Sequence, residues 1–135
     1  RFQVSYTGTV AIPIGIGTVT IWDTTTYDTT AGGYAAGVYT IPTTGMYCFD
    51  LMLTVVEQVQ VMLAHIAVNN SESDVKTLTL VGSVSYGDTG RTFTGSSMVY
   101  LTAGDTVRIM KTFGLATTVN SSVTVYHYFR GIRIS

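Results

Sequence analysis

The chain has 135 residues, a net charge of −1 and 11% charged residues, against about 25% in an average soluble domain. Its two lysines, Lys76 and Lys111, lie far apart without a basic run, which argues against binding to nucleic acid or to an anionic membrane. No apolar stretch has the length of a membrane span, so we expect no membrane insertion. With one cysteine, Cys48, the chain cannot form an internal disulfide.

Threonine is the most frequent residue, with 24 copies, and this composition predicts an all-β protein with a neutral polar surface. The length suits a single domain over residues 1–135. Because the chain opens at Arg1 without a methionine and shows no signal peptide, we expect this domain to be the C-terminal part of a longer chain.

Short strands separated by turn residues follow one another along the chain, and no segment is predicted as a helix. The predicted strands include residues 2–6, 18–22, 37–42, 46–51, 75–86, 92–101, 106–113 and 123–134. In 46–51, the period of two places Tyr47, Phe49 and Leu51 on one face. About ten short strands with a turn roughly every ten residues are typical of an antiparallel sandwich or jelly roll.

Residues 51–68 are apolar enough for a buried helix, but their β-branched residues favour two strands joined by a hairpin turn at Glu57-Gln58. The second strand, 61–68, is apolar on both faces, whereas an antiparallel strand usually shows polar residues on its solvent face. In a small domain the simplest cover for the second face is another copy of the chain, so this strand predicts an oligomer. The predicted interface residues are Met62, Ala64, Ile66, Tyr126 and Tyr128.

Residues 23–33, DTTTYDTTAGG, form the longest polar and glycine-rich segment and are predicted as a loop. Such loops carry recognition on rigid β scaffolds, but a structural crossover between sheets is an equally good interpretation. Tyrosines in or beside loops suit a neutral ligand because each ring offers apolar area together with one hydroxyl. The candidate ligand contacts are Tyr27, Asp28, Tyr34 and Tyr86.

The sequence contains no motif of a serine hydrolase, a zinc enzyme, a phosphate-binding loop or a helix-loop-helix calcium site, so we predict no enzymatic activity and no cofactor. Acidic residues in the predicted loops would allow a calcium ion, but no motif pairs them. His65 and His127 are interpreted as hydrogen-bonded packing residues; the alternatives are a ligand role or a pH-sensitive interface role. Cys48 is interpreted as a small apolar residue beside the rings, with a reactive thiol as the alternative.

Aromatic residues and glycine recur at fixed intervals between residues 22 and 51. The recurring positions are Trp22, Asp28, Tyr34, Tyr39, Gly45, Tyr47, Phe49 and Leu51. They resemble the signature of the complement C1q globular head, a member of the tumour-necrosis-factor-like jelly rolls. Trp22 and Tyr39 stand where that signature usually has Phe, and Leu51 stands where it ends on a ring.

Later stretches resemble the same family in the same order. Residues 101–107 match its Leu-x-x-Gly-Asp-x-Val turn, residues 129–134 resemble its last strand, and Val68-Asn69 lies where it often has a Val-Asn pair. The resemblance covers nearly the whole chain and implies a ten-stranded antiparallel jelly-roll sandwich that forms a homotrimer about a three-fold axis. In the tight turn, Asp105 is expected to bond nearby backbone amides.

These expectations lead to hypotheses about function in two classes. The first is a trimeric head of a larger fibrous protein that binds a cell-surface glycan or protein, with a phage or viral fibre or spike head for host attachment preferred. The lack of a disulfide fits folding in a reducing cytoplasm. A secreted, complement-like or collagen-tailed recognition protein is the alternative within this class, and a structural trimerisation cap is the second class. The expected location is the virion surface or the extracellular space.

Overall fold

The regular structure of the protein consists of β-strands. The computed structural model describes residues 1–6, 9–12, 15–22, 24–29, 33–56, 62–71, 73–81, 83–84, 90–113, 117–120 and 127–135, and no helix occurs in these ranges. The strands are β1 (Phe2–Tyr6), β2 (Thr9–Ile12), β3 (Gly15–Thr18), β4 (Thr24–Asp28), β5 (Tyr34–Ala35), β6 (Val38–Thr40), β7 (Gly45–Val56), β8 (Met62–Val68), β9 (Leu78–Val81), β10 (Ser83–Val84), β11 (Gly90–Leu101), β12 (Thr106–Phe113), β13 (Thr117–Asn120) and β14 (His127–Arg133).

The strands form two antiparallel sheets. The eight-stranded sheet has the order β10-β11-β7-β14-β1-β4, with β13 beside β7 and β2 beside β13. The six-stranded sheet has the order β5-β6-β12-β8-β9, with β3 beside β12. Buried side chains from both sheets join one core. The prediction of an all-β antiparallel jelly roll is therefore confirmed. The predicted strand 75–86 instead contains β9 and β10, which belong to different sheets, and the predicted strand 18–22 is strand only at Thr18.

An aromatic cluster forms the centre of the core. In β7 the alternate residues of 47–53 are at most 1% exposed, as the strand period of two predicts. Phe2 of β1 stacks on Tyr39 with ring centroids 4.2 Å apart and meets Phe129 of β14 edge-on at 5.0 Å. Such ring pairs contribute about 0.5–1.5 kcal/mol each beyond their burial. Aromatic positions of the sequence motif thus converge with rings from both ends of the chain.

Gly131 of β14 lies against this aromatic cluster. A Cβ atom at this position would lie 2.6 Å from ring atoms of both Phe2 and Phe49. No side chain fits there unless the rings move. The glycine in the family-like last strand is therefore required by close packing of the rings.

Asp105 holds together the turn between β11 and β12. Its carboxylate accepts hydrogen bonds from the Thr102 backbone N–H at 2.9 Å and from Asn69 Nδ2 at 2.9 Å. These two hydrogen bonds, with that from Asn69 the larger cause, lower the pKa of Asp105. Asn69 also accepts the Thr106 N–H through Oδ1 at 2.9 Å. The expectation that Asp105 bonds a nearby backbone amide is confirmed, and the Val-Asn pair joins the same network.

The prediction of a hairpin within residues 51–68 is wrong. Glu57 and Gln58 lie outside the described residues, but the strands on either side belong to different sheets. β7 pairs with β11, β14 and β13, whereas β8 pairs with β12 and β9. The chain therefore crosses from one sheet to the other here. The pairing partners of a strand depend on segments far along the chain. A local apolar pattern carries no information about them.

The prediction of a loop over residues 23–33 is wrong for Thr24–Asp28, which forms β4 and pairs with β1. β4 lies at the end of the eight-stranded sheet order. An edge strand tolerates polar residues because part of it meets solvent, and threonine favours the extended backbone. Its polar composition therefore indicated the backbone conformation incorrectly.

β8 is buried on both faces within a single chain. Ala64 and Ile66 are 0% and 1% exposed and belong to the core, while His65 and Ala67 on the opposite face are 3% and 0% exposed. The two-sided apolar pattern of this strand is thus satisfied without a second copy. The inference from this pattern to an intermolecular contact is corrected: Ala64 and Ile66 present no surface to a partner.

Candidate interaction face

The outward side of β7, β11 and β14 carries the largest group of exposed apolar residues on one sheet of the described structure. Met98, Tyr100 and Ile132 are 69%, 58% and 49% exposed. The pairing of the strands arranges the outward residues in rows, because directly paired residues point to the same side. We call these rows the three-strand face. Its rows are the apolar row (Met98, Cys48, Ile132), the polar row (Ser96, Asp50, Arg130) and the mixed row (Thr94, Met52, Tyr128). Tyr100, which pairs with Met46, lies on the same face beside the apolar row.

The polar row is internally paired. Arg130 Nε donates to Asp50 Oδ2 at 2.9 Å, and the Ser96 hydroxyl donates to Asp50 Oδ1. The guanidinium carbon of Arg130 lies 5.2 Å from the ring centroid of Tyr128, in cation–π geometry. One positive and one negative charge therefore cancel within the row, and both carboxylate oxygens have a donor.

A shallow hollow of about 220 Å³ lies beside the polar row, lined by Arg1, Cys48, Asp50, Arg130, Gly131 and Ile132. Cys48 is half-buried there. Burial is the main cause that raises the pKa of its thiol, the Asp50 carboxylate raises it further, and the Arg130 guanidinium acts in the opposite direction. At neutral pH the hollow therefore contains a protonated thiol, an apolar wall and a neutralised ion pair.

The three-strand face is suited to binding a neutral, partly apolar surface. Exposed apolar residues grouped on one face of a sheet are typical of a protein interaction site. The described residues contain no group of three or more His, Cys, Asp or Glu side chains that could hold a metal ion. The side chains of the three rows offer apolar contact, hydrogen bonding and ring stacking.

Of the predicted interface residues, Tyr128 lies on the three-strand face, where it is half-buried. Ala64 and Ile66 lie in the core. Met62 begins β8, but its side chain is outside the described part of the structure, and Tyr126 is outside it altogether. Sequence reasoning missed Met98, Cys48 and Ile132. The available signal was Met98 and Tyr100 in β11, at positions where the alternating strand otherwise has Thr and Ser.

Two of the predicted ligand contacts have structural roles. Asp28 Oδ2 accepts the backbone N–H of Tyr34 at 3.0 Å, and the Tyr34 ring stacks on Phe2 with centroids 5.3 Å apart. The Tyr34 hydroxyl is buried without a hydrogen-bond partner, and this burial raises its pKa. Tyr27 lies in β4 with its side chain outside the description, and Tyr86 is not among the described residues. The structure thus joins Asp28 to Tyr34 at the aromatic cluster.

The two histidines are packing residues, as the sequence indicated. His127 is 0% exposed, and its Nδ1 accepts the backbone N–H of Thr54 at 3.1 Å. His65 is 3% exposed, and its Nδ1 lies 3.0 Å from the hydroxyl oxygen of Thr79. Since His127 Nδ1 acts as an acceptor, its ring proton is on Nε2.

The fold is similar to solved structures of complement and tumour-necrosis-factor proteins. The globular domain of zebrafish complement 1qA protein matches with a TM-score of 0.67 and 16% identity, over 99% of this chain and 96% of that chain. Eiger TNF from S. frugiperda matches with a TM-score of 0.64 and 13% identity, over 99% and 93% of the two chains. Murine APRIL matches with a TM-score of 0.55 and 11% identity, over 95% and 96%.

The sequence itself matches no family model and no curated protein. Among the described residues, no helix is long and apolar enough to cross a membrane. At 16% identity or less, a structural likeness shows a shared fold. The sequence motifs and the two-sheet architecture agree with that likeness, and the chain has a C1q/TNF-like jelly-roll fold.

Proposed function

We propose that the chain is the homotrimeric binding head of a larger fibrous protein and that copies associate through the three-strand face. The observation that carries this proposal is the exposure of Met98, Tyr100 and Ile132 on one sheet of a single chain. Covering these side chains removes apolar area from water and stabilises the assembly by about 25 cal/mol per Å² before the costs of association.

The charge of the face favours another copy of the chain as its partner. Asp50 and Arg130 neutralise each other within one chain, so two copies meet without net repulsion. A strongly charged partner would find no complementary field on this face. Three copies around an axis form a closed assembly, in agreement with the family resemblance.

A trimer presents every ligand site three times. Linked weak sites raise the overall avidity by about 10²–10⁴ without any new contact. The low charge of the chain favours a neutral cell-surface glycan or protein as the ligand. Tyr27 and Tyr86 remain the proposed ligand contacts, because Asp28 and Tyr34 contribute to the packing of the aromatic cluster.

Within this proposal, we favour a phage or viral fibre or spike head for host attachment, at the virion surface. Its support is compositional: many threonines, few lysines and no pair of cysteines. A secreted complement-like or collagen-tailed protein is the alternative, and the C1q/TNF-like fold of the chain also supports it. A collagen repeat elsewhere in the proposed larger protein would support the alternative.

Sedimentation velocity tests the assembly. We expect the wild-type chain to sediment at three times the monomer mass and Met98→Asp to sediment as a folded monomer, because each contact would then contain an unpaired carboxylate. Val81→Asp is the matched control, since Val81 is a 77% exposed strand residue on the other sheet. A wild-type monomer at all concentrations would contradict the proposal.

A fusion of the head to a foreign stalk that does not trimerise by itself separates a binding head from a structural trimerisation cap. A binding head transfers attachment to cells or to a glycan array, whereas a cap transfers trimerisation only. The Met98→Asp fusion is the control for avidity. If the wild-type fusion is trimeric and binds no cell type and no glycan, the cap is the better description.

A further inference from the structure

The polar row lies in the middle of the three-strand face, between the apolar row and the mixed row. This position is unexpected for a pair that serves only the fold, because the Arg130 and Asp50 side chains are 47% and 25% exposed in the single chain. An ion pair this exposed stabilises a fold very little. A second ion pair, Lys76 with Asp105, includes no residue of the three rows.

We propose that the pair of Asp50 and Arg130, held by Ser96, sets the register in which the copies associate. This inference rests on the proposed trimer through the same face. Apolar side chains alone tolerate sliding, because their contacts are non-directional. When a second copy excludes water from a charged pair, the pair must keep its hydrogen bonds. Only a register in which the second copy covers both charges without separating them meets this condition.

The geometry of the pair fits this role. Both Asp50 oxygens accept a hydrogen bond, one from Ser96 and one from Arg130 Nε at 2.9 Å. The Arg130 guanidinium also lies over the Tyr128 ring. A second copy can therefore cover Asp50 and Arg130 together. The covered pair has no net charge, and its carboxylate is held in one position. A partner shifted along the strands would place apolar side chains against the pair and its surrounding water.

The first test removes one charge. Asp50→Asn leaves Arg130 charged in the contact, and Arg130→Met leaves Asp50 charged, so we expect each variant to raise the dissociation constant of the assembly by at least about tenfold. Lys76→Gln is the matched control, because it breaks an ion pair, with Asp105 at 3.5 Å, that includes no residue of the three rows. Circular dichroism of each variant checks that the monomer remains folded.

The second test removes both charges. Asp50→Leu with Arg130→Met replaces the pair by apolar groups, so association is retained, but we expect the register to broaden. The probe is a spin label on Val75→Cys, since Val75 is 99% exposed. Cys48 belongs to the apolar row, so the Cys48→Ala background is used in both arms only after sedimentation shows that Cys48→Ala alone associates as tightly as the wild type. Distances between labels are expected to form a narrow distribution with the native pair and a broad one with the double variant.

The outcomes separate this inference from the proposed function. A wild-type monomer overturns the trimer and the inference together. A wild-type trimer in which Asp50→Asn and Arg130→Met associate as tightly as Lys76→Gln overturns the inference alone. A double variant that keeps the narrow distance distribution also overturns it, because the register would then be set by the apolar rows.

Discussion

Strands β7 and β8 are both rich in apolar residues and use them differently. In β8, residues on both faces are buried within one chain, as His65 and Ile66 show at 3% and 1% exposure. In β7, Phe49 is fully buried, whereas its neighbour Cys48 lies half-buried on the outward side. The strand that is apolar on both sides is thus enclosed by its own chain, and the alternating strand contributes to an uncovered face.

This difference shows which sequence signal reports an interaction surface. Apolar residues on both faces of a strand indicate that both faces are buried. They do not indicate whether the same chain or another chain buries them. Apolar residues at the solvent positions of an alternating strand are more specific, because the period of two already assigns them to the outward side. Met98 and Tyr100 in β11 are such residues, at 69% and 58% exposure.

The largest expected effect is at Ile66, the residue that distinguishes enclosure within a chain from an interface between chains. Ile66→Asp places a carboxylate in the core, and we expect it to lower the free energy of unfolding by at least about 4 kcal/mol, a large share of the about 5–15 kcal/mol of a typical domain. Met98→Asp should change the unfolding free energy of the monomer by at most about 0.5 kcal/mol.

Chemical denaturation at low protein concentration, followed by circular dichroism, measures both values. The comparison would fail if Ile66→Asp gave a folded, stable monomer, because β8 would then have an exposed face after all. It would also fail if Met98→Asp unfolded the chain, since Met98 would then be part of the core.

The sequence predicted the core well and the partners of its strands poorly. The motif from Trp22 to Leu51 located the rings because alternation directly encodes which side of a strand is buried. The crossover after β7 was missed, since the choice of sheet depends on β11 and β12, far along the chain. The contact between Asp50 and Arg130 spans 80 residues. No local pattern in the sequence encodes such a pair, so the polar row could be recognised only from the strand pairing in the structure.

A medium effect on stability is expected at Gly131, which lies on the inner side of the three strands, opposite the exposed face. Gly131→Ala adds a Cβ atom 2.6 Å from the Phe2 and Phe49 rings, and we expect a loss of about 1–3 kcal/mol of unfolding free energy from overpacking. Gly17→Ala is the matched control in a strand of the other sheet, because a Cβ atom there meets nothing within 4 Å. It should change stability by about 0.5 kcal/mol or less.

Thermal unfolding of the two alanine variants tests this difference directly. Equal midpoints for Gly131→Ala and Gly17→Ala would mean that the rings move aside at little cost. The glycine of the last-strand motif would then have no packing role, and the tight inner side of β14 would not explain its presence.

The smallest effect concerns the thiol of Cys48, which reports the electrostatics of the outward side. The Asp50 carboxylate contributes to the raised pKa of Cys48, whereas the Arg130 guanidinium lowers it. Asp50→Asn should therefore lower the pKa of Cys48, and Arg130→Met should raise it. The thiolate is the reactive form, so at a fixed pH below the pKa the first variant is alkylated faster than wild type and the second more slowly.

The rate of alkylation by iodoacetamide, followed by mass spectrometry on dissociated protein, is measured as a function of pH. The pH at half of the maximal rate gives the direction in which each variant shifts the pKa of Cys48. A shift in the same direction for both variants would mean that solvent access, and not the charge of the polar row, controls the thiol.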